Sequence, residues 1–242
     1  MEYIVSAVGL RKSFGQKTAV DGIDLAVAPG ETFCLLGANG AGKSTTVECL
    51  VGVKQPDEGQ VLLRGMPPRA HRKTLFEHVG VQFQEARYQD KVKVDELCRM
   101  TASLYRQPAD YRTLLHSFGL DEKRSSFIED LSGGQKQRLF VALALIPDPS
   151  LVFLDELTTG LDVKTRREVW GHLEAMKKQG VTIFLTSHYL DEVERLCDRI
   201  AIMRNGRIVF TGTVDEVRES CGTTDLEQAY LHYAEQGNQE ER

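Results

Sequence analysis

Nowhere in the 242 residues does an apolar run approach the roughly 18 to 20 positions needed to cross a bilayer, so no membrane span is expected. The amino terminus, MEYIVSAVGLRKSF, lacks the basic start and long apolar stretch of a secretion signal. The chain therefore reads as cytoplasmic. Its five cysteines, Cys34, Cys49, Cys98, Cys197 and Cys221, are odd in number and form no C-x-x-C pair. Neither a disulfide framework nor a zinc site is indicated, and small buried hydrophobes are expected instead. A basic excess is missing too: the net charge of −5 argues against nucleic acid as the main partner, because phosphate backbones are held mostly by Lys and Arg. Internal repeats and low-complexity segments are also absent. Hydrophobic content of 41% and charged content of 27% are those of a globular protein. The length suits one large α/β domain, or a core with one inserted lobe.

The segments that are present alternate between strand-like and helix-like patterns. Val20 to Leu36, VDGIDLAVAPGETFCLL, predicts two strands broken at Pro29-Gly30, the second running into a glycine-rich loop and a helix that ends near Gly52. PDEGQVLLRG predicts a turn and a short strand, and Val79 to Gln84 another strand. From about residue 85 to 131 the chain is polar and helix-favouring, an expected helical lobe. LVFLD, Leu151 to Asp155, has the continuous apolar run of a buried strand. Asp162 is expected to cap a helix carrying Val169, Trp170, Leu173 and Met176 at helical spacing and stopped by Gly180. VTIFLTS predicts the next strand, and Asn205-Gly206 between apolar runs predicts a tight hairpin. A last helix is expected over Leu226 to Ala234, followed by a frayed QGNQEER end.

Gly37 to Ser44 matches G-x-x-x-x-G-K-[ST], placed after a strand and opening a helix as that motif requires. Successive backbone N–H groups in such a loop form a concave site for phosphates. Gly37, Ala38, Asn39, Gly40, Ala41, Gly42, Lys43, Ser44 and Thr45 are the resulting phosphate-binding candidates, with Lys43 reaching the β- and γ-phosphates and Ser44 suited to Mg²⁺. Asp155-Glu156 ends a predicted strand, at the sheet edge where open α/β sheets bind ligands. Asp155 suits a second Mg²⁺ contact, and Glu156 the base that deprotonates an attacking water. His188 follows another strand and would donate to a γ-phosphate. The stretch LSGGQKQRL admits two readings. Ser132 and Gln135 fit a capping box. The bare pair Gly133-Gly134 fits an anion approaching naked amides at a helix start.

Taken together, GANGAGKST, LSGGQ, LVFLDE, GLD and TSH, in this order and spacing, resemble the nucleotide-binding subunit of ATP-binding-cassette transporters over about residues 3 to 235. The fold so implied is α/β: a P-loop NTPase core with a mixed sheet flanked by helices, an N-terminal antiparallel β region and an inserted helical lobe. One nucleotide-binding domain is expected over 1–242. Its ATP-binding core takes about 1–84 and 150–215, its signature-bearing lobe about 85–149, its C-terminal helix and tail about 216–242. Residue by residue, the resemblance implies that Phe14 stacks on adenine, although spacing alone makes it a plausible core residue. It implies that Gln84 touches Mg²⁺, that Asp162 communicates across a dimer, and that His188 switches with the γ-phosphate. It further implies that Ser132, Gly133, Gly134 and Gln135 of one subunit close over ATP held by another. ATP and Mg²⁺ are then the cofactors, and Glu156, His188 and Lys43 the catalytic set. Where the family usually has proline after the two carboxylates, this chain has Leu157, which puts the rigidity of that turn in question.

Three functions are compatible with these motifs: the motor of a membrane exporter, a soluble relative working on another protein machine, and a silent nucleotide-sensing scaffold. The intact Lys43, Asp155, Glu156 and His188 argue against the scaffold. The segment TSHYLDEVERLCDRIAIMRNGRIVFTGT and the tail DLEQAYLHY resemble exporters of drugs, antibiotics and polysaccharides. The expectation is therefore an exporter motor on the cytoplasmic face of the cell membrane. A separate permease chain would dock near Gln84 to Leu97, and a second ATPase subunit, expected to be an identical chain, would complete the dimer.

Overall fold

A computed structural model of the chain describes residues 3–84 and 91–235. Its strands are β1 (Val5–Phe14), β2 (Lys17–Val27), β3 (Thr32–Leu36), β4 (Glu58–Leu63), β5 (Val79–Gln82), β6 (Leu151–Asp155), β7 (Thr182–Ser187), β8 (Arg199–Arg204) and β9 (Arg207–Thr213). The helices before β6 are α1 (Lys43–Leu50), α2 (Arg72–Leu75), α3 (Val94–Ala102), α4 (Tyr111–Ser117) and α5 (Gly133–Leu145). Those after it are α6 (Val163–Lys178), α7 (Leu190–Leu196), α8 (Val214–Ser220) and α9 (Leu226–Glu235). Among the described residues no helix is long and apolar enough to cross a membrane.

The chain forms two compact units, one of residues up to Arg72 together with those from Phe184 on, the other Lys73–Ile183. In the first unit, β2, β1 and β4 form an antiparallel sheet with β1 in the middle, Val5 facing Val27 on one side and Leu63 on the other. Val5, Ala7 and Leu10 of β1 are buried. A second sheet of this unit has the order β7-β3-β8-β9, parallel between β3 and β8 and antiparallel between β8 and β9. All five residues of β3 are buried, as expected of a parallel strand covered on both faces. Each large apolar side chain removed from water there contributes about 1.5–3 kcal/mol before entropy is counted. The β8–β9 turn is Asn205-Gly206, both with positive φ (46° and 80°), which matches the right-handed twist of a hairpin. The C-terminal helix α9 is held against this hairpin, since Arg204 Nη1 donates to the Tyr233 carbonyl at 2.7 Å and the Phe210 and Tyr233 rings stand 5.1 Å apart.

In the second unit β5 and β6 pair in parallel, Val79 beside Leu151 and Gln82 beside Leu154. Strand β6, LVFLD, is buried along its whole length. β5 stops at Gln82, two residues short of the sequence expectation. The described part of the expected lobe, from residue 91 on, lies in this unit and contains α3, α4, two short 3-10 turns and α5. The predicted cap at Asp162 is present: its carboxylate accepts from the backbone N–H groups of Lys164 and Thr165 at 3.0 Å each. Of the cysteines, Cys34, Cys49 and Cys98 are buried, and Cys197 and Cys221 are half-buried. Burial pushes the Cys49 thiol up to about 11 and the Cys98 thiol up to about 12, so both stay protonated. The tail QGNQEER lies outside the described residues, as do positions 85–90 of the expected docking region.

Candidate functional site

The first group of candidate residues sits where β3 gives way to α1. The loop between them is crowded from behind. A side-chain carbon on Gly37 would stand 2.5 Å from the Met203 carbonyl oxygen, and one on Gly42 would collide with the Ala19 carbonyl. Gly42 also has φ of 110°, outside the range of L side chains. The glycines of the motif are therefore dictated by β8 and β2 as much as by any ligand. No side chain caps the start of α1, which leaves its positive end to backbone chemistry. Lys43 is 4% exposed, its Nζ donating to the carbonyls of Gly37 at 2.8 Å and Ala38 at 3.2 Å. Its ammonium is thus folded back onto the carbonyls of its own loop. Ala38, Asn39 and Gly40 are exposed, Ala41 is buried, and Ser44 and Thr45 are half-buried.

Two further candidates belong to the same unit. The end of β7 is tied to the loop by the Gly37 N–H donating to the Ser187 carbonyl at 3.3 Å. His188 follows at once, its ring 4.1 Å from that of Tyr189. Phe14, at the end of β1, is 45% exposed and not a core residue. Lys54 and Lys12 place their Nζ atoms 5.0 and 5.6 Å from its ring centroid, within cation–π range. Lys54 was not singled out from the sequence, because it lies forty positions along the chain from Phe14.

The second group lies in the other unit. Asp155 closes β6 and is 2% exposed, followed by Glu156 at 7%. Glu156 has φ of 48°, a left-handed conformation that costs a non-glycine residue about 1–3 kcal/mol and marks a constrained turn. Gln84 Nε2 donates to Glu156 Oε2 at 3.0 Å, so these two predicted residues meet. Leu157, in the place of the usual proline, is 2% exposed, and its carbonyl accepts from Gln137 Nε2 at 2.5 Å. Gln137 went unnoticed in the sequence because nothing in a helical pattern announces a contact twenty positions away. The Asp162 carboxyl is held below its ordinary 3.8, first by the Thr165 N–H and then by the Thr165 hydroxyl.

The opening of α5 carries the capping box expected from its sequence. Ser132 and Gln135 make the capping box, the Gln135 N–H donating to Ser132 Oγ at 3.3 Å and the Ser132 N–H to Gln135 Oε1 at 3.0 Å. Gly134 is required inside the chain, since a side-chain carbon there would lie 2.8 Å from Thr165 Cγ2. Gly133 is not, because a side-chain carbon there would meet nothing within 4 Å. It is exposed at the positive end of a 13-residue helix.

Among the described residues no group of three or more His, Cys, Asp or Glu could enclose a metal ion. Mg²⁺ needs no such cage, because it keeps several waters and binds through one or two protein oxygens plus phosphates. Ser44 offers a hydroxyl in the first unit, and Asp155 and Gln84 offer a carboxylate and an amide oxygen in the second, each an oxygen donor of the kind Mg²⁺ takes. Gln84 bonds Glu156 through its amide nitrogen, so its amide oxygen takes no part in that bond.

Residues 20–159 match the family model described as ABC transporter. The chain belongs to the ABC transporter family. It is 39% identical over 221 residues to the Nod factor export ATP-binding protein I of Ralstonia nicotianae, covering 88% of this chain and 68% of that protein. It is 35% identical over 240 residues to a probable multidrug ABC transporter ATP-binding protein of Escherichia coli, covering 95% of this chain but only 41% of that protein. A solved ATP-binding subunit of an ABC transporter superposes with a TM-score of 0.87 at 27% identity, covering 95% of this chain and 99% of that one. The α/β cassette fold with its mixed sheet and antiparallel N-terminal sheet is thereby shown for this ABC-family chain.

Proposed function

We propose that this ABC-family chain is the ATP-binding and ATP-hydrolysing subunit of a membrane exporter, worked by ATP-driven pairing of two such subunits. The observation that carries the pairing is Gly133. Its neighbour Gly134 has a reason inside the chain, the Thr165 methyl, whereas no atom within 4 Å forbids a side chain at Gly133. A bare amide at an open helix start, with no demand from its own fold, suits a phosphate brought by another copy. That the relatives named above are export and multidrug transporter proteins supports the exporter role.

In this reading Lys43 turns from the Gly37 and Ala38 carbonyls to the β- and γ-phosphates, and the amides of Gly37 to Thr45 line the triphosphate. Phe14 stacks on adenine, with Lys54 and Lys12 already gathered at its ring. Ser44, Asp155 and Gln84 would hold Mg²⁺, whose charge offsets that of the phosphates when bound. Glu156 accepts the proton of the attacking water. As the new P–O bond forms, the bond from the γ-phosphorus to its bridging oxygen breaks and ADP leaves with that oxygen. His188 senses the γ-phosphate by donating to it. Ser132, Gly133 and Gly134 of a second copy, with Gln135 completing their cap, close over the same phosphate, and Asp162 carries the state of one site to the other. A ligand shifts such an equilibrium only by contacts unique to one state. Contacts between one copy's glycine amides and the other's ATP are of that kind. Closure would be passed to a permease on a separate chain at the cytoplasmic face of the membrane, through the lobe of about 85–149.

The test is turnover. Glu156→Gln should lower ATP hydrolysis by roughly 10²-fold or more while ATP binding persists, as for a lost general base. Ordinary hydrolysis by that variant would remove Glu156 from the mechanism. Extraction of a membrane protein of about six ~20-residue apolar spans with the tagged chain, released by substitutions in the lobe, would support the exporter role. Recovery with a soluble assembly alone would reject it.

A further inference from the structure

We propose that Gln137 is a positioning residue for Glu156, holding the turn in which Leu157 stands where the resemblance led us to expect proline. The inference rests on the reading of Glu156 as the base and goes beyond it. Three observations converge. Glu156 sits at φ of 48°, a conformation that relaxes unless its surroundings hold it. The peptide that follows it ends in the Leu157 carbonyl, which takes the Gln137 Nε2 hydrogen bond at 2.5 Å. Leucine leaves φ at position 157 free to rotate, where proline would have fixed it.

The glutamate is then pinned at separate points. Gln84 holds its carboxylate at 3.0 Å, the Thr159 N–H holds its carbonyl at 3.2 Å, and Leu157 is anchored by its buried side chain and by Gln137. Only the last of these comes from α5. Gln135, two positions earlier, is spent on the capping box with Ser132 and points elsewhere, as residues two apart on a helix must. Helix α5 is itself clamped to α6, with Gly134 against Thr165 and Arg138 Nη1 2.8 Å from Glu168 Oε2. A shift of α5 when its first turn meets a phosphate would therefore be felt at the Leu157 carbonyl and at Glu156 next to it. The signature helix and the base are joined by one side chain of this subunit.

The experiment compares Gln137→Ala and Gln137→Glu with the unaltered full chain and with Glu156→Gln, measuring kcat, KM for ATP, ATP affinity and melting temperature from pH 8 to about pH 5. Gln137→Ala should lower kcat about five- to tenfold, the worth of one hydrogen bond, with KM and ATP affinity unchanged. An ionised carboxylate cannot donate, so Gln137→Glu should match the alanine variant at pH 8. Its activity relative to wild type should rise as acid protonates the carboxyl and restores a donor. A merely structural role would move the melting temperature and leave that ratio flat with pH. If Gln137→Ala folds poorly, the pH dependence of Gln137→Glu still decides. Wild-type kcat in Gln137→Ala, or a flat ratio for Gln137→Glu, overturns the proposal while an inactive Glu156→Gln leaves the base in place. Normal turnover by Glu156→Gln would instead overturn the reading beneath it.

Discussion

Gly133 and Gly134 are neighbours with opposite expected responses to the same added methyl group. At Gly134 the methyl would lie 2.8 Å from Thr165 Cγ2. Thr165 cannot step aside cheaply, because its N–H and hydroxyl are bonded to Asp162 at 3.0 and 2.7 Å. Overpacking of this kind costs about 1–3 kcal/mol, and disturbing the Asp162 cap adds to it. For a chain of this length each kcal/mol lowers Tm by about 2–4 °C, so Gly134→Ala should melt roughly 2–12 °C below wild type. At Gly133 the methyl meets nothing within 4 Å, and alanine is the better helix former by up to about 1 kcal/mol. Gly133→Ala should therefore melt at or slightly above the wild-type temperature. Its ATP turnover should nevertheless fall. The methyl would hold the helix start away from the partner's phosphate, and one lost hydrogen bond to a charged group is worth about 1.5–3 kcal/mol, or roughly 10- to 100-fold. Thermal melts and steady-state phosphate release on the two variants suffice. A Gly133→Ala chain with wild-type turnover would refute the reasoning, and so would one whose activity loss merely tracks a lower Tm.

Two further outcomes follow from the same geometry. Lys43→Ala removes the ammonium now resting on the Gly37 and Ala38 carbonyls, and should weaken ATP affinity roughly 10- to 100-fold in equilibrium binding; unchanged affinity would count against the phosphate assignment. Asp162 has a carboxyl pKa below its ordinary 3.8, so its contribution to stability is whole above that value and is lost as pH falls through the lower folded value. Asp162→Asn should thus lie below wild type in Tm near neutrality and converge with it in strong acid, a gap that thermal melts across that range would read. A gap independent of pH would show that the carboxylate's charge plays no part.

How far the sequence announced this molecule depends on the range of each interaction. β6, the Asn205-Gly206 hairpin and the Asp162 cap were legible because an unbroken apolar run, a two-residue turn and a side-chain cap are local. Helix α8 carries a local signal of the same kind, Thr213 and Glu216 in a capping box. Positions set by distant chain are another matter. Spacing left Phe14 a plausible core residue, yet β1 ends there and exposes it beside Lys54 and Lys12. The consequence of Leu157 was open until Gln137 was seen to reach its carbonyl. The two glycines at the α5 start look alike in sequence and differ only because Thr165 is packed against one of them.

The account stands on two copies gripping one triphosphate from opposite sides, and the mass of the Glu156→Gln chain in solution tests that most directly. Light scattering of this variant with saturating ATP and Mg²⁺ should show the mass of two chains, falling back to one when nucleotide is removed or when Gly133→Ala is added. A single-chain mass at saturating ATP would contradict it.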